Sequence, residues 1–456
     1  MNSSSDLKLQ NRVSSPFYAN KVKVKQKAGT LVLAQTQLKK GIWLYFLLLI
    51  FEGALRKWFL TSLSTPLLLV RDPLALWLLF KGIQHGLLKV NAYLAIIPLI
   101  GIIGIYTAFF IGHGNIFVAL YGARVLLIQV PLIFLIGQVF TREDVLKIGK
   151  ATLWIALPMT VIIALQFYSP QSAWINQGLG GDVKGAGFDG ALNYFRPPGT
   201  FSFTNGTTLF YGFAAPFIFY FWIERGTVSR ILLIAATACL LVSIPLSISR
   251  SLMVHVLITV AFTIIGISFK PKYFKQLIIA FGAVIVVFVL VGNTHFFTTA
   301  THAFEVRLET ANEQEGGMQK ILGGRFLGSM IGAVTESSSL PFFGYGLGMG
   351  TNVGSMLLNG NVTYLISEGE WGRLVGELGA LMGVSVIILR LKLCSELFIK
   401  CIKRLVAGDL LPWILLSFSI ILTAQGGWAQ PTSLGFCVLV GGFTLGCLKS
   451  ESFVSS

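Results

Sequence analysis

The chain has 456 residues, of which 54% are hydrophobic and 12% charged, with a mean hydropathy of +0.75. A water-soluble fold carries about 25% charged residues, so this composition excludes one and indicates an integral membrane protein. The formal charge of +16 is not gathered into a groove with interleaved aromatics, which argues against a nucleic-acid partner and for membrane topology as the origin of the pI of 9.7. Cys239, Cys394, Cys401, Cys437 and Cys447 form no CxxC and accompany no paired histidines, so neither a disulfide framework nor a zinc site is expected.

Residues 1–41 are polar and basic from Lys8 to Lys40, with Asp6 as the acid, and are expected to form a cytoplasmic tail. Apolar segments long enough to cross a hydrocarbon core of ~30 Å come next. They lie near 42–60, 66–82, 92–111, 117–138, 151–168, 207–223, 231–248, 252–268, 277–293, 372–389, 410–428 and 432–448, about twelve in all. The predicted architecture is all-α and polytopic: a transmembrane domain over 42–448 and a short cytoplasmic tail at 449–456.

Alternation from an inner start puts Arg142 to Lys150, Arg225 with Arg230, Lys270 to Lys275, and Arg390 to Arg404 on the cytoplasmic side, as the positive-inside rule requires. Two long loops then face outward, 169–206 and 294–371, the larger one between the ninth and tenth spans. A bacterial cytoplasmic (inner) membrane with both termini inside is the expected location.

Ionisable side chains inside apolar runs ask for a partner, a wet cavity or a task, because each costs about 2.5 to 3.5 kcal/mol to insert. The first span carries Glu52, Arg56 and Lys57, the second Arg71 and Asp72, and the fourth Arg124. Mutual pairing explains part of this: Glu52 and Arg56 are one turn apart, Arg71 reaches Asp72 or Glu52, and Lys57 can snorkel outward. Arg124 has no acidic neighbour on its own helix and is expected to face a ligand.

Arg196 stands in FRPPGTFSFTNGT, where Pro197, Pro198 and Gly199 forbid a continuing helix and hold the chain extended. Arg250 stands at a tight turn, PLSISRSLMVHV, beside Ser247, Ser249 and Ser251. Guanidinium groups suit phosphate because their planar fork donates paired hydrogen bonds. Farther on, Arg325 opens a predicted amphipathic helix closed by Pro341 and a glycine string, Gly344 to Gly350. No strand precedes that string, so a dinucleotide loop is rejected. In ISEGEWGRLVGELGALMG, Glu368 and Glu370 precede the tenth span, and Arg373 is spaced to reach Glu370 or Glu377.

Taken in order, these residues resemble the O-antigen ligase and O-antigen polymerase superfamily of membrane glycosyltransferases. The likeness covers about Gly41 to Leu448 and rests on twelve spans, the large outer loop, R-P-P-G-T-F at Arg196, an S-R turn at Arg250, an arginine helix leading to P-x-x-G-x-G from Arg325 to Gly346, and E-x-G at Glu377 and Gly379. The resemblance implies a polyprenyl-diphosphate-linked glycan donor whose diphosphate is held by Arg196 and Arg250; Arg124 and Arg325 are further candidates for binding it. Arg373, Glu377, Arg71 and Arg56 would support them.

It also implies a base at the mouth of the tenth helix. Relatives carry a histidine nine positions before the E-x-G glutamate, where this chain has Glu368, so Glu368 or Glu370 is the candidate. His302 and His255 are weaker alternatives. No activated serine or cysteine nucleophile is visible and there is no DxD, so a metal-independent, cofactor-free direct displacement with inversion is expected. The acceptor is a growing glycan, making the protein a polysaccharide polymerase, or a lipid or protein anchor, making it a ligase. A flippase and a chain-length regulator would be partners within the membrane lipid. The competing class is a transporter of a glycan or small anion.

Overall fold

A computed structural model describes residues 16–224, 226–270, 273–275, 278–279, 282, 294–315, 331–332, 335, 340–361, 365–367 and 369–449. Most of the predicted ninth span, most of the predicted helix opened by Arg325, and Glu368 itself lie outside the described residues. The architecture is helical, with α1 Pro16–Ala54, α2 Arg71–Gln84, α3 Ala92–Phe110, α4 Ile116–Arg124, α5 Val130–Val139, α6 Arg142–Tyr168, α7 Asn205–Ile223, α8 Arg230–Leu246, α9 Arg250–Ser268, α10 His295–Glu315, α11 Asn352–Asn359, α12 Glu370–Ala407, α13 Leu411–Gln425 and α14 Pro431–Leu448. Among the described residues, eight helical stretches are long and apolar enough to cross a membrane, and α8 and α13 are shorter apolar helices. The one sheet among them is a hairpin of β1 Phe188–Ala191 and β2 Tyr194–Arg196.

Hydrophobicity on all faces predicts a buried helix, and α7 is that helix: 89% of its apolar window is buried, against 39% for α3. It packs against α6, α8, α9, α13 and α14, and its Phe213 meets Phe46, Phe217, Phe418, Phe436 and Phe443. The expected polar tail is in part a continuation of the first span, since α1 is already helical from Pro16.

The two ends of the bundle differ in chemistry. At one end Thr141 and Asp144 form a capping box on α6, Lys39 Nζ meets Asp144 at 2.6 Å, Arg142 pairs with Asp409, and Lys449 Nζ donates to the Gln138 carbonyl. Lys57 lies 18 residues beyond Lys39 on the same chain segment, roughly 27 Å at helical rise, which matches a bilayer core of ~30 Å. The far end therefore holds Arg56, Lys57, the hairpin and the start of α9.

Two interruptions place polar groups at that end. π-helical turns at Leu55–Phe59 and Val125–Gln129 directly continue α1 and α4, and such turns re-aim side chains at functional sites. A third interruption was not anticipated. Inside α12, Gly379 adopts φ 77° and ψ 173°, so the arm from Glu370 to Leu378 folds back on the arm that begins at Ala380. A Cβ at Gly383 would meet Val375 Cα at 2.6 Å, which locates the two arms in contact. Only glycine accommodates this φ together with the approach of the Phe342 carbonyl.

Candidate functional site

The loop after β2 is the most heavily braced irregular segment at the far end. Lys57 Nζ and Gln166 Nε2 both donate to the Gly199 carbonyl, at 2.7 and 3.1 Å, while the Gly199 N–H donates to Gln166 Oε1 at 2.7 Å. Thr207 donates to the Pro197 carbonyl and Thr200 to that of Ile50. Lys57 is thus fully buried as an anchor, correcting the expectation that it snorkels outward. Replacing it with methionine keeps the volume but removes the donor. About 1 to 3 kcal/mol of stability should be lost, read as a lower thermal midpoint in detergent; an unchanged midpoint would show that Gln166 alone braces the turn.

From this base Arg196 emerges opposite Phe188 in the hairpin register. Three elements meet there. A Cβ placed on Gly190 would lie 2.5 Å from Ile248 Cδ1 and 3.5 Å from Arg196 Cγ, so the hairpin, Arg196 and the turn into α9 touch at one point. Ile248 holds a left-handed backbone, φ 45°, while buried, a strained geometry of the kind stored where a neighbouring side chain must be aimed. Ser249 caps α9 and accepts from Thr208 Oγ1 at 2.8 Å, which fixes Arg250 as the first residue of the helix. The third element is α10, which packs on β1 and on α8 and carries Arg307.

Burial, then the neighbouring Arg307 and Arg250 cations, push the Arg196 guanidinium below its ordinary value. Its Nε is buried and has no hydrogen-bond partner among the described residues. A half-buried cation facing two more cations is a poor structural choice and a good anion site. Sequence reading found Arg196 and Arg250 but missed Arg307. Its signal was available: positions three and four residues away on either side, Ala303, Phe304, Thr310 and Ala311, offer no carboxylate.

Of the other predicted arginines, Arg56, Arg71, Arg124 and Arg373 are held in ion pairs. Glu52 accepts from Arg71 at 2.9 Å and Arg56 at 3.4 Å; Arg56 also donates to the Ser64 carbonyl and to Ser202 Oγ, and Arg71 to the Pro431 carbonyl. Arg124, expected to face a ligand, is instead 2.7 Å from Asp72, whose second oxygen accepts from Gln129; Gln129 accepts in turn from Tyr45. Asp72 lies 52 residues away on α2, so a search along the arginine's own helix could not find it. Arg124 Nη2 alone stays without a partner among the described residues.

The predicted base Glu370 is also engaged. Arg373 grips both of its oxygens, at 3.1 and 2.8 Å, and Arg390 donates to Oε1 at 3.0 Å. Arg373 further pairs with Glu377, whose other oxygen accepts from the Gly350 N–H at 2.8 Å. Arg390 was expected in the basic cytoplasmic turn. It is instead buried against the far end of α13, donating to the carbonyls of Thr423 and Gly426 and lying 3.8 Å over the Trp428 ring. Both oxygens of Glu370 are therefore engaged, which makes it a brace of the α12 reversal. The glycine string docks on the same reversal, with Tyr345 N–H donating to the Gly376 carbonyl and Gly346 N–H to that of Glu377.

His255, a weaker alternative base, has a buried Nδ1 without a partner among the described residues and sits edge-on to Phe418 within the bundle. His302 is exposed on α10. Glu368 and Arg325 lie outside the described residues. Compared with known protein families, with curated proteins and with solved structures, the chain matches none.

Proposed function

We propose that the protein is a membrane glycosyltransferase that moves a polyprenyl-diphosphate-linked glycan onto an acceptor sugar hydroxyl in cell-surface polysaccharide assembly, with chain polymerisation preferred over ligation to an anchor. The observation that carries this reading is the half-buried Arg196, whose Nε lacks an acceptor among the described residues and whose neighbouring charges are Arg307 and Arg250. A diphosphate would supply acceptor oxygens to the Arg196 and Arg307 guanidinium groups.

In this reading the acceptor oxygen attacks the anomeric carbon as the bond to the diphosphate breaks. The leaving group carries away the electron pair, and preorganised guanidinium groups stabilise its growing charge in a water-poor setting. Glu368 is the candidate to take the acceptor proton, by its position nine residues before Glu377. The topology proposed with this function has about twelve spans in a bacterial inner membrane, both termini inside, and the hairpin and the 294–371 loop facing outward. A flippase would supply the donor, and a chain-length regulator would set the product.

The test is incubation of the purified chain with a polyprenyl-diphosphate oligosaccharide, read on a gel. A ladder of longer glycans supports the polymerase reading, and transfer to an added lipid or protein anchor supports ligation. Solute movement in proteoliposomes without any glycosidic bond formation would replace the proposal with transport.

A further inference from the structure

The hairpin region draws a guanidinium from each of three elements, and the third is not among the residues that the family resemblance implies. Arg196 comes from β2, and Arg250 from the first position of α9 behind the strained Ile248 turn. Arg307 comes from α10, a helix that lies against β1 and against α8, the helix leading into that same turn. The three elements are therefore brought together by backbone packing. Arg307 is half-buried and makes no ion pair among the described residues. Its flanking acids Glu305 and Glu309 are exposed and two residues away, on other faces of the helix.

We propose that Arg307 is a third anion-binding residue of this site, reaching from α10 to an oxyanion held between β2 and the start of α9. The proposal rests on the reading of the site as a diphosphate holder and adds to it a residue and a division of labour. Arg196 and Arg250 sit on the braced loop and the capped turn, so they are built in advance. Arg307 sits on a helix packed against the hairpin, so it would add a donor from a third element. A single phosphate offers fewer oxygens to three separated forks than two linked phosphates do, so the third arginine should favour inorganic diphosphate over monophosphate. The burial and like-charge crowding at Arg196 agree with an anion between the three arginines.

The experiment uses the full-length protein in detergent and inorganic diphosphate as the probe, with binding read by calorimetry at fixed ionic strength. Arg307→Gln should weaken diphosphate binding by about tenfold or more, weaken monophosphate binding less, and leave the thermal midpoint without ligand unchanged. Arg307→Lys should restore part of the affinity, which a purely structural role would not predict. Equal diphosphate affinity in wild type and Arg307→Gln, or no diphosphate binding by wild type, would overturn the proposal. Glycan transfer is measured on the same preparations and fails separately: diphosphate binding that depends on Arg307, with no transfer from a lipid-linked donor, would keep the anion site and remove the glycosyltransferase reading.

Discussion

Arg196→Ala is expected to lower glycan transfer at least about a hundredfold while the protein reaches the membrane at normal abundance and melts no lower than wild type. The two halves of this expectation have one cause. Arg196 is a partly desolvated cation crowded by Arg307 and Arg250, and its Nε donates to nothing among the described residues. Burial and like charge both disfavour the protonated form in the folded state, so at neutral pH the charge itself adds nothing to stability that the mutation would remove. A charge-assisted hydrogen bond to a developing phosphate anion, by contrast, is among the stronger interactions a protein can make, and donors aimed at growing charge typically contribute about 10² to 10³ fold each. Added diphosphate should raise the melting temperature of wild type by mass action and of Arg196→Ala much less. Loss of activity accompanied by an equal loss of folded protein would instead make Arg196 a structural residue.

Arg373→Met should have the largest effect on folding. The change removes the partner of two carboxylates at once: among the described residues Glu377, fully buried, then keeps only the Gly350 N–H, and Glu370 keeps only Arg390. Breaking a buried pair from one side costs about 3 to 5 kcal/mol, because the remaining charge is left in a medium that solvates it poorly. Much of the protein should then fail to accumulate, and the purified fraction should melt well below wild type. The double variant Arg373→Met with Glu377→Gln should recover part of the loss, since it no longer strands a carboxylate. If the single variant melts like wild type, the network does not brace the α12 reversal.

Legibility in the sequence depends on the range of each interaction. Apolar helices were legible because hydropathy sums over many residues of one helix, and helix starts at Asn91, Asn115 and Thr141 carry side chains that cap the next turn. The pair Glu52 and Arg56 was legible because it is one turn long. The Arg124 partner was not, since it lies on another helix. The Gly379 reversal was hidden because its neighbours on both sides are apolar and helix-forming, so the pattern reads as one span over 372–389 while the chain turns back in the middle. That turn is also why Arg390, which looks like the first of a cytoplasmic cluster, sits beside Glu370. At the site, residue type and local stiffness exposed Arg196 and Arg250, whereas the approach of α10 to the hairpin is a tertiary event and left Arg307 unseen.

The central question is whether bond formation and diphosphate release are one event. Purified protein should be given a polyprenyl-diphosphate oligosaccharide with its acceptor, and free polyprenyl diphosphate counted against new glycosidic linkages. One molecule released per linkage, with both falling together in Arg196→Ala, is the predicted result. Intact donor crossing a bilayer with no release, or linkages that form equally well without Arg196, would contradict it.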